Sequence, residues 1–416
     1  MVGGSWGMAI QHQRDTRDGR TSPERADVAE RQLRGPQLFG AASVGTRLAE
    51  ILADLTATVP QNASGAGMAL HLTEDVGRAA GLAARHDAPE ASTAGAIGHA
   101  LGFLESAFDP RSGRFRVGRR IGGDWLAQPA SYEGHARVLR GLSQIMVHAD
   151  EEISRRRASR IFLHALAATA AFRDHRTVAA SAIACADVVQ APMSGGAASS
   201  HLTGVGRRLA VVLADSMEIG GPEWPWPAPV VSAGSATLPH AVLLAAHADD
   251  RSDWLRYGIA ALRWLVSAQM SRENHLSLIG SQGWWKRGTP PASFDQHPGD
   301  ALGLLEAAAV AHQVTGDREW VYVAEAAFAW FLGQNDLRQP VAEVATGTCH
   351  DGLRSDGVDP GTSLESALDW FSSILAMQAL RDRLEADRPF AGAAARLSEP
   401  LLPAGAERSS ASSPSE

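Results

Sequence analysis

The chain predicts an all-α fold in which six helical hairpins close into an (α/α)6 toroid, with short β pieces in the loops. Three observations carry this prediction. Hydrophobic residues make up 45% of the 416 positions, yet there are only three Tyr and eleven Phe, and Ala and Leu dominate, a balance that favours helix. Some twelve segments space their apolar residues helically, with turn signals at the joins. A third pattern recurs along the chain. Ala100-Leu101-Gly102-Phe103-Leu104, Ala261-Leu262-Arg263-Trp264-Leu265 and Ala327-Phe328-Ala329-Trp330-Phe331 each close a helix. Each then leads into a turn and an extended piece: Gly113-Arg114-Phe115, His275-Leu276-Ser277 and Gln339-Pro340-Val341. Stacked hairpins produce such repetition, and an unrelated helical array is the competing explanation.

In order, the helical segments fall near 37–59, 66–86, 92–108, 131–149, 151–173, 176–190, 202–218, 235–248, 252–270, 298–315, 317–334 and 362–386. Leu48, Ile51, Leu52 and Leu55 show the i, i+3, i+4, i+7 spacing in the first. Thr315-Gly316-Asp317 reads as a stop and a cap between two consecutive helices. Residues 1–35 are charged and Gly-punctuated, and 388–416 finish in a Ser-rich tail. Neither end carries enough apolar surface to offset the entropy of ordering, so both are predicted disordered, with the toroid spanning 36–387.

A formal charge of -8 without a basic stripe argues against a nucleic-acid partner. Cys185 and Cys349 fit neither a disulfide framework nor a zinc pattern, consistent with a reducing cytosol. No apolar leader opens the chain, and no apolar run reaches the roughly 18 residues of a membrane span. A soluble, cytoplasmic protein is therefore expected. Gly195-Gly196 lacks phosphate-loop spacing, and the adjacent Cys349, His350 and Asp351 are poorly placed to converge on one ion. No cofactor and no metal are expected.

Two loops in the C-terminal third concentrate the chemistry. One carries Trp284-Trp285-Lys286-Arg287 and then Asp295-Gln296-His297; the other carries Cys349-His350-Asp351 and Asp356, followed by Glu365 at a helix start. Aromatic faces stack on sugar C–H surfaces, while Arg and carboxylates hydrogen-bond hydroxyls. Trp284, Trp285 and Arg287 are thus candidate saccharide contacts, with local hydrophobic anchoring as the alternative for the Trp pair. Trp224 and Trp226, in a loop stiffened by Pro222, Pro225, Pro227 and Pro229, form either a rigid aromatic wall or a pin for a long connection. His297 and His350 are candidate hydroxyl ligands or proton shuttles, whereas His240 and His247, seven apart, read as a half-exposed helical stripe. Glycoside hydrolysis uses two carboxyl groups, about 5–5.5 Å apart for retention and about 6.5–9.5 Å for inversion. Loop carboxylates available for this include Glu133, Asp295, Asp300, Asp351, Asp356 and Glu365. Asp351 and Asp356 also suit plain turns, and Glu365 suits a helix N-terminus.

On these residues the chain resembles a known family. Trp254-Leu255, Trp264-Leu265, Gly283-Trp284, Arg287-Gly288, Phe294-Asp295-Gln296 and Pro298 match in order and spacing. So do Trp330-Phe331-Leu332-Gly333-Gln334-Asn335-Asp336-Leu337, Cys349, Asp351-Gly352-Leu353, Asp356-Gly357-Val358 and Glu365-Ser366. Residues 253–386 resemble a bacterial family of six-hairpin, glycosidase-like (α/α)6 toroids found beside cytoplasmic glycosyltransferases and mannoside phosphorylases. Weaker matches at Leu72-Thr73-Glu74-Asp75, Gly113-Arg114-Phe115-Arg116, His135 with Arg137, and Leu238-Pro239-His240 extend it to 70–386. The resemblance implies a toroid acting on saccharides, adds Gln296, His135 and Arg137 as candidate substrate contacts, and implies a glycosyltransferase as partner.

The chain also departs from the family. A Thr-Asp-Asp-Asn-Ala-Arg segment is aligned here with Thr93-Ala94-Gly95-Ala96-Ile97-Gly98, which lacks both acids and the amide. A Tyr-Asp-Asn run before Leu-Pro is replaced by Ala233-Gly234-Ser235, and an Asn-Gln-Gly-Ala run by Gly361-Thr362-Ser363-Leu364. Two readings follow. One is a glycoside-hydrolase-like enzyme on an intracellular or nascent oligosaccharide, with Glu365 and one of Asp295, Asp351 or Glu133 as acid and base. The other is a degenerate toroid, a pseudoenzyme that binds saccharide or a glycosyltransferase without catalysis. Lyase or epimerase chemistry is a weaker third, resting on Tyr132 beside Glu133 and near His135.

Overall fold

The computed structural model describes residues 41–56, 70–86, 91–121, 123–191 and 196–386. The ends predicted to be disordered, 1–35 and 388–416, lie outside the described residues. Twelve α-helices occur among the described residues, one for each predicted segment. They are α1 (Ala41–Thr56), α2 (Thr73–Arg85), α3 (Ala91–Ala107), α4 (Tyr132–His148), α5 (Glu152–Leu166) and α6 (His175–Gln190). The second half supplies α7 (Gly196–Gly220), α8 (Thr237–Ala248), α9 (Ser252–Gln269), α10 (Pro298–Thr315), α11 (Glu319–Phe331) and α12 (Leu364–Ala386).

The even-numbered helices pack successively, α2 on α4 and so on to α10 on α12, and α12 returns to α2. This closes an inner ring of six, while the odd-numbered helices pack around it as an outer layer. The chain is an (α/α)6 toroid.

Glycine sets the tightest seam of the ring. A Cβ on Gly141 of α4 would lie 1.9 Å from the Gly77 carbonyl oxygen of α2, and one on Gly81 would lie 2.7 Å from Gly141 Cα. Only hydrogen at these positions lets the two backbones approach so closely.

The β pieces are five antiparallel pairs in the loops. Strand β1 (Leu70–Leu72) pairs with β4 (Gly118–Arg120), and β2 (Phe108–Asp109) with β3 (Arg114–Phe115). Then β5 (Val230–Val231) pairs with β6 (Trp285–Lys286), β7 (Ala342–Glu343) with β8 (Thr348–Cys349), and β9 (Leu353–Arg354) with β10 (Gly357–Val358). The segment expected to be helical from 66 thus enters as strand. Gly118 explains this: a Cβ there would meet the His71 carbonyl oxygen at 2.6 Å, so glycine permits β1 to pair closely. Similarly, the segment 151–173 divides into α5 and a 3-10 turn at Ala167–Ala171.

Candidate active site

The N-terminal turns of α4, α6, α8, α10 and α12 meet at one cavity of about 550 Å³, and α2 completes its wall. Local devices set these helix starts. Ser131 Oγ accepts the Gly134 N–H at 2.9 Å to cap α4, and Asp174 accepts the Thr177 N–H at 2.9 Å to cap α6. Pro298 opens α10, where its missing N–H costs nothing. Asp351 Oδ1 accepts the Ser363 N–H and the Ser366 Oγ–H, both at 2.8 Å, at the start of α12. These starts deliver Glu133, Arg176, Asp300 and Glu365 to the mouth of the cavity.

Arg137 is the hub of the mouth. Its guanidinium meets Glu365 Oε1 at 2.9 Å, Glu133 Oε1 at 3.1 Å and Glu74 Oε2 at 3.6 Å. Arg176 holds the other Glu133 oxygen at 2.9 Å. One level deeper, Arg78 of α2 pairs with Asp369 of α12. Glu365 is the most open of the mouth's ion-paired acids, with its side chain 53% exposed. Burial pushes the Glu74 and Asp369 carboxyls above the usual range, against the opposing pull of Arg137 and Arg78 respectively.

Asp300 stands apart from these pairs. Its Oδ1 accepts the Gly234 N–H at 2.7 Å, from a glycine whose φ of 66° suits that residue. Burial drives its carboxyl up to about 6, with the Gly234 bond opposing. Asp351 goes the other way: burial pushes it up, but the bonds from Ser363 and Ser366 prevail and leave it lowered.

Deeper still, Arg140 grips Glu306 through two bonds of 2.9 and 2.7 Å. Burial opposes ionisation of Glu306, yet the Arg140 charge and hydrogen bonds bring its carboxyl down to about 2. His240, only 5% exposed, lines the same depth, and burial lowers its imidazole to about 4. The half-exposed stripe expected of His240 and His247 is therefore split: His240 faces the cavity, and His247 lies near the exposed end of α8.

Of the residues named from sequence, Glu133, Arg137, His240, His297, Asp300, Asp351 and Glu365 come together around this cavity. His297 also approaches Ser281 Oγ at 3.1 Å. Trp224, Trp226, Trp284, Trp285, Arg287, Asp295, Gln296, Asp356 and His135 are not among the lining residues. Trp264 of α9 is stacked between Trp226 at 5.9 Å and Trp285 at 4.6 Å, with Trp224 edge-on to it. Trp224 donates to the Ala228 carbonyl at 2.8 Å. The loop tryptophans thus stack on an outer helix and pin the Pro-rich connection. Trp284 and Asp295 occupy left-handed backbone at φ 56° and 58°, folding their loop back on itself. Arg287 and Asp356 are exposed on turns. Gln296 is buried, accepting from Trp330 Nε1 at 2.8 Å and donating to Asp336 at 2.5 Å. Reciprocal backbone bonds of 3.0 Å between Gln296 and Leu353 tie the two C-terminal loops together. His135 is a core residue between Phe115 and Phe172, bonded to the Ala165 carbonyl at 3.0 Å and lowered to about 4 by burial.

Sequence reasoning passed over Arg78, Arg140, Arg176, Glu306, Asp369 and His240, and Asp300 was only one of many loop acids. One signal was available. Residues 93–98 lie on the outer helix α3, and a Cβ on Gly95 would meet nothing within 4 Å. Thr73-Glu74-Asp75-Val76-Gly77-Arg78 offers the same order of Thr, two acids, a small residue and Arg on inner helix α2. There Glu74 reaches Arg137 and Arg78 reaches Asp369. Two acids and an Arg thus stand on an inner helix, twenty positions before the outer-helix segment that lacks them.

Fold and cavity together define the class: a six-hairpin (α/α)6 toroid with a charged axial cavity. Its backbone is similar to a sugar epimerase from a ruminal bacterium (TM-score 0.56, 10% identity, covering 76% of this chain and 88% of that one). It is similar also to a D-mannose isomerase (TM-score 0.57, 11% identity) and to cellobiose 2-epimerase from Spirochaeta thermophila DSM 6192 (TM-score 0.57, 12% identity). Each of the latter two likenesses covers 84% of this chain and 100% of the other. At such identities the likeness establishes the fold. Neither a protein-family model nor a curated protein matches the sequence.

Proposed function

We propose that the protein is a carbohydrate-active enzyme that binds a saccharide in the axial cavity and cleaves a glycosidic bond with two carboxyl groups. The observation carrying this reading is the pairing of unlike acids at the mouth. Glu365 is an open carboxylate held by Arg137, and Asp300 is a half-buried carboxyl raised to about 6. Two acids in contrasting environments are what acid and base roles require. Asp300 would protonate the leaving oxygen, while Glu365 activates water or attacks the anomeric carbon. Arg137 orients Glu365, and the deeper Arg140–Glu306 pair supplies donors and acceptors for hydroxyls. The neighbouring folds named for reactions on sugars support a saccharide ligand. An intracellular or nascent oligosaccharide, supplied by a glycosyltransferase, is the setting the family resemblance implies.

Turnover and binding on manno- and gluco-oligosaccharides test this with the Glu365→Gln and Asp300→Asn variants. Each substitution should lower turnover by about 10²–10⁴-fold while binding persists. Unchanged turnover in either variant removes that residue from the mechanism.

His240 favours a second reading, in which the cavity moves a proton at the carbon beside a sugar carbonyl. It is a neutral imidazole in the cavity, and the similar folds include epimerases and an isomerase. Exchange of solvent deuterium into the C2 position of a reducing sugar, without bond cleavage, would select it. Of the positions that motivate the degenerate, non-catalytic reading, Ala94 and Gly95 lie on the outer helix α3, whereas Gly234 lines the cavity.

A further inference from the structure

The shape and charge of the cavity narrow the substrate class, an inference that rests on the saccharide reading above. The wall takes lining residues from all six inner helices, among them Arg78, Arg137, Arg176, His240, Asp300 and Asp369. The cavity is therefore axial, ringed on every side, and not a groove that crosses the rim. It also ends within the ring. On five of the helices the lining residues run no further than Gln144 on α4, Ile183 on α6, His240 on α8, Glu306 on α10 and Ser372 on α12, while on α2 they reach Arg85 in its last turn. Beyond them the same helices continue with Ile145, Val188, Leu244, Ala311 and Met377, all buried. From Glu133 to Gln144 the pit descends eleven residues along α4, a depth of roughly 16 Å at the helical rise. Its volume of about 550 Å³ lies in the range of small-ligand pockets, about 300–1,000 Å³.

The charges of the wall are matched from within. Arg78 faces Asp369, Arg137 faces three glutamates, Arg176 faces Glu133, and Arg140 faces Glu306. Arg85, at the floor, is in none of these pairs; burial disfavours its charge, with the field of Asp187 opposing. Asp300 adds an acid whose Oδ1 accepts the backbone N–H of Gly234. From the mouth down to Arg140, an anionic ligand would have to break one of these pairs and lie beside the carboxylate it displaced, which is costly in a buried site. Neutral hydroxyls meet no such penalty, because paired guanidinium and carboxylate groups still offer spare donors and lone pairs.

We infer that the cavity is a blind pit that takes the uncharged end of a saccharide chain, about one or two sugar units, and excludes chain interiors and phosphorylated or uronic-acid termini.

Calorimetric titration of the full chain tests this with cello-, malto- and manno-oligosaccharides of two to six units, with cyclomaltohexaose, and with glucose and mannose beside their 6-phosphates and glucuronate. Affinity should stop rising within about twofold beyond the disaccharide, and cyclomaltohexaose, which has no end, should bind at least tenfold more weakly than maltohexaose. The 6-phosphates and glucuronate should bind at least tenfold more weakly than the parent sugars. A steady gain from dimer to hexamer, equal binding of the cyclic sugar, or preference for the charged monosaccharides would overturn the inference while leaving the saccharide reading intact. Silence across the whole panel overturns the saccharide reading itself, and this inference with it. Ala180→Trp, which places a large ring in the wall between Arg176 and Ile183, should abolish binding at unchanged helix content; retained binding in that folded variant would also overturn the inference.

Discussion

Asp300 shows how one residue can serve the site at a cost to the fold. Its carboxyl rises from 3.8 to about 6 because burial penalises the anion. The native state therefore holds the proton more tightly than the unfolded chain does. Whatever stability that proton brings is present in full below pH 3.8 and is lost as pH rises through about 6. Asp75, also raised to about 6 by burial, has the same sign. Glu306 has the opposite sign, its contribution being present above 4.5 and lost as pH falls towards about 2. Asp300→Asn keeps an acceptor for the Gly234 N–H but removes the titration. The variant should be more stable than wild type at pH 7–8 by about 1–3 kcal/mol and should show a flatter stability profile between pH 4 and 6. Denaturant melts at several pH values check this. Equal pH slopes in the two proteins would mean that Asp300 is solvated in solution. Coupled with lost turnover, a stabilised variant would show an acid kept for chemistry and not for folding.

At the level of elements, the helices were legible and their meeting points were not. Helical periodicity located all twelve segments because each buries an apolar stripe, a property carried by local spacing. The β1 entry to α2 escaped because it depends on Gly118, more than forty positions away, leaving room for the His71 carbonyl. Residues of the site followed the same rule. Glu133, Glu365 and Asp351 were readable as loop or first-turn acids, but Arg78 and Glu306 sit within helices, where sequence alone suggests an ordinary polar face. The tryptophans of the C-terminal loops stood out by composition, yet their stacking on Trp264 of α9 is a tertiary fact. The α2–α4 seam makes a sharp case. Gly141→Ala drives a methyl into the Gly77 carbonyl, so the helices must separate. A loss of about 1–3 kcal/mol, or more where the backbone cannot yield, is expected in chemical denaturation. Saccharide affinity should fall as well, since Arg137 and Arg78 ride on the two displaced helices. A variant as stable as wild type would show that the seam is looser than the glycines indicate.

The whole molecule depends on joining its first inner helix to its last. Arg78 and Asp369 do this across 291 positions of sequence, with side chains only 12% and 11% exposed. The pair is not symmetrical. Burial raises the Asp369 carboxyl despite the cation beside it, so an Asp369 left alone can take up a proton and become neutral. A guanidinium has no such escape, and Arg78 Nη1 already lacks a hydrogen-bond partner. Asp369→Leu should therefore cost more than Arg78→Met, in the range of about 3–5 kcal/mol expected when a buried ion is stranded. Arg78→Met should cost less, and its cost should grow as pH rises and the orphaned Asp369 is forced to ionise. The double variant should recover most of the loss, because an apolar pair of similar volume closes the ring without burying charge. A double-mutant cycle followed by urea denaturation at pH 5 and pH 8 measures all three. If the two single losses simply add, Arg78 and Asp369 act independently, and the ring is closed by the packing of α12 on α2 alone. If they do not, one ion pair both closes the toroid and forms the wall of its cavity, so that stability and ligand binding are set at the same place.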